Sequence, residues 1–315
     1  MNHKVLITSE YFQRYSDAGK EILVCAGFDV MDNPYRRLLT EEDIIPLIGE
    51  AEGIICDLEP ITAKVIDNAP RLKIISRRGV GVDSVDVKAA KEKGIVVART
   101  QGVVEKPVAD LVMSYILAFA RRIREHDRSM KRHAWQKELG ISLEGKVLGI
   151  VGLGNIGREV LKRARAFDMK IIYFNTHPLK KSEEKELGAE FCSFYELLAG
   201  SDFITIHVPL NEVTRNLFSE KVIGRMKKTA FLINTARGSI VNEKDLARAL
   251  KEGVIAGAAI DVFDEEPADS SPLMEVENAI LTPHVATFTR ETFIKMDVLA
   301  ARNIVDFFKT GMCLT

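Results

Sequence analysis

The 315-residue sequence lacks the features of several specialised protein classes. Its 44 Lys and Arg residues are balanced by 45 Asp and Glu residues, whereas a protein that binds nucleic acid or an anionic membrane surface usually has a basic excess. The best apolar stretch, Leu111 to Ala120, is too short to cross about 30 Å of hydrocarbon. We therefore expect neither nucleic acid nor a membrane among its partners.

Cysteine is scarce as well. The four cysteines form no C-x-x-C pair and no disulfide framework, which indicates free thiols in a reducing compartment; they are Cys25, Cys56, Cys192 and Cys313. The first residues hold only three consecutive apolar side chains, fewer than the core of a signal peptide. No H-E-x-x-H, P-loop or G-x-S-x-G motif is present, and no cysteine spacing suits zinc. We expect a cytoplasmic protein without a metal site.

The first hundred residues alternate short β-branched runs with amphipathic stretches. Helices are predicted over 41–48 and 85–93, and buried strands over 4–8, 53–57, 73–76 and 95–97. Short apolar strands separated by helices pair in parallel, because a parallel crossover needs a dozen or more residues. This region therefore predicts an α/β unit of its own.

A second alternation of strands and helices follows. One long helix is predicted over 106–132, and a last helix over 290–309. Between them, five apolar segments predict a second parallel sheet: 146–151, 170–174, 203–206, 230–233 and 256–260. The predicted fold class is α/β with two domains.

A glycine-rich loop opens the second alternation. Gly152-Leu153-Gly154-Asn155-Ile156-Gly157 matches G-x-G-x-x-G between a strand and a helix. Gly152 permits a tight turn, Gly154 lets the backbone approach a pyrophosphate, and Gly157 allows the helix to pack closely on the strand. The helix N-terminus supplies free N–H groups for the anion. The pattern predicts a doubly wound parallel sheet of Rossmann type; the alternative is a tight turn without a ligand.

The next predicted strand is followed by Asn175, where an acid usually binds the adenosine ribose. A carboxylate would repel the 2′-phosphate of NADP, whereas an amide does not. Thr176 and His177 follow, and Lys180 and Lys181 add positive charge, although these lysines are explained equally well as solvated loop residues. Since an Asn can also bond a ribose hydroxyl, the sequence predicts NAD(P) with a slight preference for NADP.

Several motifs occur in order along the chain. They are Arg77-Arg78-Gly79-Val80-Gly81-Val82-Asp83, the glycine loop, His207-Val208-Pro209-Leu210, Ile233-Asn234-Thr235-Ala236-Arg237-Gly238, Asp261-Val262-Phe263 with Glu266-Pro267, and Thr282-Pro283-His284. On these residues the whole chain resembles the D-isomer-specific 2-hydroxyacid dehydrogenases, the family of glyoxylate/hydroxypyruvate reductases, D-lactate dehydrogenases and phosphoglycerate dehydrogenases. The resemblance implies an NAD(P)-dependent oxidoreductase that transfers a hydride between nicotinamide and a small 2-oxo or (R)-2-hydroxy acid.

The resemblance also implies a domain organisation. Residues 1–101 would form a flavodoxin-like substrate domain, to which residues 289–315 return, and residues 102–288 would form the dinucleotide-binding Rossmann domain. The active site is expected in the cleft between the domains, where closure excludes water. A homodimer is expected through the Rossmann domain, with the long helix in the interface.

Reduction of a 2-oxo acid requires a cation for the carboxylate and carbonyl oxygens, and a proton donor for the developing alkoxide. Arg237 has a planar guanidinium that fits a carboxylate, and His284 is a candidate proton donor because histidine is the side chain type best suited to proton transfer at neutral pH. Glu266 is expected to orient the His284 ring and favour its protonated form. The resemblance implies the same catalytic roles. Each residue alone is explained more simply as a surface, structural or turn residue, but their joint occurrence within the ordered motifs favours catalysis.

Binding residues are expected around this catalytic set. The resemblance implies that Asp261 holds the nicotinamide carboxamide, and that backbone N–H groups around Val80 and Gly81 bind the substrate carboxylate. The expected cofactor-binding residues are Gly152, Gly154, Asn155, Ile156, Gly157, Asn175, Thr176, His207, Val208, Pro209, Thr214, Thr235, Ala236, Arg237, Asp261, His284 and Ala286. The expected substrate-binding residues are Arg78, Gly79, Val80, Gly81, Arg237 and His284.

The sequence departs from the usual family pattern at several positions, and two of them bear directly on the substrate. Arg78 stands where a small residue is common, and we expect it either to bind a distal anionic group of the substrate or to turn outward and pair with Asp83 or Asp86. Phe288 replaces a small residue after His284 and is expected to shape the substrate pocket.

An alternative function is an NAD(P)-sensing binding protein of the corepressor type, which shares this fold.

Overall fold

The computed structural model, which describes residues 3–313, contains two sheets in which every strand pair is parallel. The strands of the first sheet are β1 (Lys4–Ile7), β2 (Asp29–Met31), β3 (Gly53–Cys56), β4 (Ile74–Arg77) and β5 (Val96–Ala98). Those of the second are β6 (Val147–Val151), β7 (Lys170–Phe174), β8 (Ala189–Phe191), β9 (Phe203–Ile206), β10 (Phe231–Asn234), β11 (Gly257–Ile260) and β12 (Ala279–Leu281). Their orders are β2-β1-β3-β4-β5 and β12-β11-β10-β9-β6-β7-β8.

Helices connect these strands. They are α1 (Ala18–Cys25), α2 (Glu41–Ile48), α3 (Ala63–Asp67), α4 (Val87–Glu92), α5 (Glu105–Ala120), α6 (Ile123–Lys131), α7 (Asn155–Arg165), α8 (Lys181–Leu187), α9 (Phe194–Gly200), α10 (Glu220–Ile223), α11 (Glu243–Lys251) and α12 (Arg290–Thr310). Short 3₁₀ turns occupy Gly238–Ile240 and Pro272–Glu275. The predicted α/β class, with a doubly wound parallel sheet, is confirmed.

The chain divides into two units. The first comprises the described residues up to Val104 and again from Thr287, and the second extends from Glu105 to Ala286. The sequence analysis sets these boundaries at 101/102 and 288/289. The first unit therefore contains the five-stranded sheet and α12, and the second contains the seven-stranded sheet.

Each sheet is covered on both faces, which explains why its strands are apolar throughout. In β1, Val5 and Ile7 join an apolar cluster with α1 and α12, whereas Leu6 joins a second cluster with α2, α3 and α4. In the second sheet, Ile233 packs on the side of α5 and α7, and Leu232 on the side of α9 and α11. Alternation along a strand thus builds a separate core on each face.

Capping side chains set several helix boundaries. Thr40 accepts the Asp43 N–H while the Asp43 carboxylate accepts the Thr40 N–H, and this capping box starts α2 at the predicted residue. At α12 the Thr289 hydroxyl accepts the Thr292 N–H at 3.3 Å. Among the described residues, no helix is both long and apolar enough to cross a membrane.

The single helix predicted over 106–132 is wrong. The helix stops at Ala120 and a second one starts at Ile123, because Arg122 has a φ of +50° that no right-handed helix accommodates. The Ala120 carbonyl accepts the N–H of Ile141 at 2.8 Å, so a distant segment takes the hydrogen bond that would have continued the helix.

Several other boundaries also differ from the prediction. The strand predicted over 73–76 lies one residue later and ends at Arg77, and the helix predicted over 85–93 is confined to 87–92. Three strands of three residues each were not predicted, namely β2, β8 and β12. All three lie at the edges of their sheets, where a short strand needs little apolar surface.

Candidate active site

The predicted cofactor and catalytic residues of the second unit follow the carboxyl ends of its strands. Gly152 follows β6, Asn175 follows β7 and His207 follows β9. Thr235 and Asp261 likewise follow β10 and β11. Strands β6 and β9 are neighbours, and the chain proceeds from them toward opposite edges of the sheet. Ligands of open α/β sheets bind outside the carboxyl ends at such a point of reversal.

Gly152 and Gly157 of the loop must be glycine for different steric reasons. Gly152 has a φ of +100°, and a Cβ there would lie 2.7 Å from the carbonyl oxygen of His207. A Cβ at Gly157 would lie 2.5 Å from the Gly152 carbonyl oxygen, so only glycine lets α7 start this close to β6. Both constraints match the roles assigned to these positions from the sequence.

The surroundings of the loop fit a dinucleotide. A Cβ at Gly154 would meet no protein atom within 4 Å, and no side chain caps α7, which begins with Asn155 and Ile156. The first N–H groups of the helix therefore remain available to an anion. The buried hydroxyl of Thr235 finds no hydrogen-bond partner within residues 3–313, and a bound ligand would satisfy it.

Asn175 has a structural role that the sequence analysis did not foresee. Its Oδ1 accepts the N–H of Leu153 at 2.7 Å and so holds the glycine loop to the end of β7. Thr176 follows in an exposed position. Lys181 pairs with Glu184 at 2.7 Å, and Arg158 of α7 pairs with Glu183 at 2.7 Å.

The buried position of His207 favours the neutral form of its imidazole. Burial lowers the pKa of its imidazole to about 3, and its Nε2 lies 2.9 Å from the Thr205 hydroxyl. A neutral, buried imidazole of this kind is poorly suited to donate a proton at neutral pH. Val208 and Pro209 follow it, and the Thr214 hydroxyl donates to the Pro209 carbonyl at 2.7 Å, which closes the turn after β9.

His284 and Glu266 form the pair that the sequence predicts. Nδ1 of His284 lies 2.8 Å from Oε2 of Glu266, whose Oε1 accepts the Phe263 N–H at 3.1 Å. Burial acts to raise the pKa of Glu266, but the His284 hydrogen bond and charge, the Phe263 N–H and the charge of Arg237 together hold it below its usual value. An ionised carboxylate only accepts hydrogen bonds, so Nδ1 carries a hydrogen and Nε2 is left to exchange a proton.

Arg237 follows β10 and is half-buried. Its Nη1 donates to the Ala236 carbonyl at 2.6 Å, and its own carbonyl accepts Nδ2 of Asn234 at 2.9 Å. The Ala236 N–H donates to Oδ1 of the same Asn234 at 3.0 Å. Because its charge reaches Glu266, the predicted catalytic residues Arg237, Glu266 and His284 lie together within one unit.

His284 is held in an unusual backbone conformation. Its φ is +52°, a region that is unfavourable for side chains with a Cβ and that recurs at functional sites. The backbone N–H of His284 donates to the Asp261 carbonyl at 2.8 Å. The Asp261 carboxylate accepts the N–H groups of Val285 at 2.8 Å and Ala286 at 2.9 Å. Asp261 therefore fixes the backbone at His284 and at the two residues that follow it.

Two further residues of this arrangement were missed by the sequence analysis. The Thr282 hydroxyl donates to Oδ1 of Asp261 at 2.5 Å, and the Tyr115 hydroxyl lies 2.5 Å from the Thr282 hydroxyl. Thr282 could have been found from the Thr-Pro-His motif quoted above. For Tyr115, the one sequence feature that pointed to a role was a hydroxyl group on the apolar face of α5. Burial raises the pKa of both Asp261 and Tyr115 above their usual values.

Arg78 lies in the first unit and does not turn outward, so the expected pairing with Asp83 or Asp86 is wrong. Its side chain is 1% exposed, with Nε 2.5 Å from Asp297 and Nη1 2.9 Å from Asp57. Its guanidinium carbon lies 4.3 Å from the ring centroid of Phe293. The prediction overlooked Asp297 because that residue lies on α12, at the opposite end of the sequence.

The expected carboxylate-binding segment follows Arg78. A Cβ at Gly79 would lie 1.3 Å from Nη1 of Arg77, so only glycine leaves room for that guanidinium. No acceptor for the backbone N–H groups of Val80 and Gly81 is found among residues 3–313. Phe288, 44% exposed, packs edge-on against Tyr11 and Phe293 in the first unit.

Comparisons with known proteins agree with this geometry. Residues 113–286 match the family described as "D-isomer specific 2-hydroxyacid dehydrogenase, NAD binding domain". A glyoxylate reductase of Thermococcus litoralis is 43% identical over 286 residues, which cover 88% of this chain and 85% of that protein.

Solved structures agree as well. That of a glyoxylate reductase from Paecilomyes thermophila is similar at a TM-score of 0.90 and 32% identity, over 100% of this chain and 98% of that one. An NADPH-dependent glyoxylate/hydroxypyruvate reductase from Sinorhizobium meliloti, in complex with NADP and malonate, has a TM-score of 0.88 and 28% identity. The match covers 100% of this chain and 96% of that chain. These likenesses do not favour the corepressor-type alternative. The chain belongs to the D-isomer-specific 2-hydroxyacid dehydrogenases and is an NAD(P)-dependent oxidoreductase of 2-oxo and 2-hydroxy acids.

Proposed function

We propose that His284, Glu266 and Arg237 carry out the reduction of a small 2-oxo acid to its (R)-2-hydroxy acid. The 2.8 Å pair between His284 and Glu266, within reach of the Arg237 charge, is the observation that carries this assignment. Protonated His284 donates a proton from Nε2 to the developing alkoxide, and Glu266 stabilises the positive ring. Arg237 binds the substrate carboxylate and carbonyl oxygens and so favours the negative charge of the transition state.

The cofactor is held by residues of the second unit in this proposal. The first N–H groups of α7, together with the open face of Gly154, bind the pyrophosphate, and the Thr235 hydroxyl gains a partner. Bound NAD(P) supplies the hydride acceptor or donor of the reaction. Asp261 has one carboxylate oxygen, Oδ2, with a single protein donor, so this oxygen retains capacity for the nicotinamide carboxamide. We propose that the other residues of the predicted cofactor-binding set also contact the cofactor.

We propose NADP as the preferred cofactor. Asn175 adds no negative charge beside the adenosine ribose, and its amide already fixes the glycine loop through Leu153. The Sinorhizobium meliloti relative is NADPH-dependent, which supports the same choice. Lys180 precedes α8 in an exposed position, and it supplies a positive charge for a 2′-phosphate.

The proposed substrates are glyoxylate and hydroxypyruvate, since all three similar reductases cited above are named for one or both of these acids. Val80 and Gly81, whose backbone N–H groups have no acceptor among residues 3–313, are proposed to donate them to the substrate carboxylate. Phe288 is proposed to limit the size of the substrate side chain. The distal-anion role of Arg78 is not proposed, because two carboxylates already occupy its guanidinium.

A cytoplasmic homodimer is the proposed assembly. Large apolar side chains on α6 and in the segment after it are solvent-exposed in a single chain: Ile123 by 56%, Met130 by 53%, Trp135 by 76% and Leu139 by 95%. Exposed apolar residues gathered on one segment are typical of a protein interface. The dimer would bury these side chains.

Steady-state assays of glyoxylate, hydroxypyruvate and pyruvate with NADH and NADPH test the proposed function. His284→Ala is expected to reduce kcat by roughly 10²–10⁴ with little change in cofactor affinity, because only the proton donor is lost. The exposed His133 offers a control, since His133→Ala removes an imidazole that belongs to none of the motifs. Near-normal turnover in His284→Ala would contradict the assignment.

A further inference from the structure

A chain of hydrogen bonds connects helix α5 to the backbone around His284. Tyr115, 3% exposed, places its hydroxyl 2.5 Å from that of Thr282, which donates to Asp261 at 2.5 Å. Asp261, fully buried, in turn accepts the N–H groups of Val285 and Ala286. The two residues that follow His284 are thus tied to a helix that begins far earlier in the sequence.

The direction of proton donation in this chain is fixed by its partners. Asp261 accepts from two backbone N–H groups, so its carboxylate acts as the acceptor toward Thr282 as well. A hydroxyl carries a single hydrogen, and that of Thr282 is directed at Asp261. The Tyr115 hydroxyl is therefore the donor to Thr282. Each member of the chain is hydrogen-bonded to the next, and loss of the Thr282 hydroxyl would leave the buried Tyr115 hydroxyl without its acceptor.

Tyr115 is otherwise part of an apolar face. Its neighbours on α5, Val112 and Ile116, are fully buried in the same cluster, which a leucine or phenylalanine at position 115 would also suit. Packing alone therefore does not require the hydroxyl. The left-handed φ of His284 does require external restraint, because a residue with a Cβ does not keep that conformation unaided.

We propose that Tyr115 is a positioning residue of the reaction, whose hydroxyl fixes the catalytic imidazole of His284 by way of Thr282 and Asp261. This inference rests on the proposed role of His284 as proton donor. Loss of the Tyr115 hydroxyl frees the Thr282 hydroxyl to reorient, weakens its bond to Asp261, and loosens the backbone of Val285 and Ala286. A proton donor displaced by a fraction of an ångström loses much of its rate advantage.

Tyr115→Phe is the direct test. We expect kcat for glyoxylate reduction at saturating NADPH to fall roughly tenfold, because outer partners of a catalytic group typically contribute on this scale. Tyr173→Phe is the matched control: this buried tyrosine also donates its hydroxyl, to Glu184 at 2.9 Å, but does not contact the His284 segment. The control is expected to change kcat by less than about twofold. Equal kcat values in the two variants would overturn the proposal.

Thr282 provides a second test that does not alter α5. Thr282→Val removes the hydroxyl at nearly constant volume and is expected to lower kcat by about the same factor as Tyr115→Phe. Thr282→Ser keeps the hydroxyl and is expected to restore most of kcat. A serine variant as slow as the valine variant would show that the hydrogen bonds are not what position His284, and would overturn the proposal.

A double variant separates this inference from the proposed function. If Tyr115 acts through the imidazole, Tyr115→Phe has no further effect on the residual rate of His284→Ala, because effects that pass through one group are not additive. A further tenfold loss in that background would mean that Tyr115 acts elsewhere, and would overturn the positioning role alone. Wild-type kcat in His284→Ala would instead refute the proposed function, and this inference with it.

Discussion

Replacing Arg78 with methionine removes the cation from a buried cluster while keeping an apolar stem of similar length. In the folded protein the guanidinium lies between Asp297, whose side chain is 3% exposed, and Asp57, whose side chain is 17% exposed. Asp57 reaches water, whereas Asp297 is left, within residues 3–313, with the Gln13 N–H at 3.1 Å as its remaining donor. Breaking a buried ion pair from one side costs about 3–5 kcal/mol, and most of that cost would fall on Asp297.

The predicted loss depends on pH. Burial already holds the pKa of Asp297 above its usual value, against the lowering effect of Arg78. Without Arg78 this pKa rises further, so the folded variant retains a proton that the unfolded chain releases above about pH 4. Stability then falls as pH increases from the unfolded-state pKa toward the raised folded-state pKa. The deficit of Arg78→Met relative to the wild type is therefore smaller near pH 5 than near pH 8.

Thermal unfolding at both pH values measures this effect. The midpoint of Arg78→Met is expected to fall by about 10 °C at neutral pH. Adding Asp297→Asn removes the uncompensated charge and should recover part of the loss. Lys131→Met is the matched control, because Lys131 pairs with Asp127 on the surface at 2.7 Å and should cost less than about 1 kcal/mol. If the double variant is no more stable than Arg78→Met at any pH, an unpaired Asp297 is not the cause of the lost stability.

Three further predictions follow from the second unit. Glu266→Gln is expected to shift the alkaline limit of the reduction rate to lower pH, since an amide no longer stabilises a protonated His284; an unshifted limit in the pH–rate profile would argue against it. Asn175→Asp can keep the bond to the glycine loop but should weaken NADPH relative to NADH in fluorescence titrations, and an unchanged ratio would mean that the ribose is recognised elsewhere. Trp135→Asp with Leu139→Asp should lower the mass measured by sedimentation to that of one chain, whereas an unchanged mass would exclude this surface as the interface.

The sequence predicts best where a few consecutive residues determine the structure. Gly157 is required by a contact within its own strand-loop-helix segment, with the Gly152 carbonyl, and the spacing of the motif alone suggested its role. The strands β7 and β9 begin and end at the predicted residues, because an apolar run bounded by polar residues is a local signal. The order of the motifs then suggested the family, which the comparisons confirm.

The sequence predicts poorly where the partner is distant. Arg78 and Asp297 are 219 residues apart, and Tyr115 and Thr282 are 167 apart, so neither pair could be recognised from spacing. The break after Ala120 has the same origin, because the hydrogen bond that replaces the helical one comes from Ile141. Polar contacts between residues far apart in the sequence form only in the folded protein. The apolar pattern of α5, by contrast, gives no local sign that the helix ends at Ala120.

The insertion of one unit into the other has a consequence for biosynthesis. The first sheet needs α12 to cover Val5 and Ile7, yet this helix is translated only after all of residues 105–286. At about 5–20 residues per second, the nascent first unit exposes an apolar sheet face for roughly ten to forty seconds. During this interval Arg78 cannot pair with Asp297, because Asp297 is part of α12. The inserted unit can therefore complete its own sheet on the ribosome before the unit that was begun first, whose apolar face is completed only when α12 has been made.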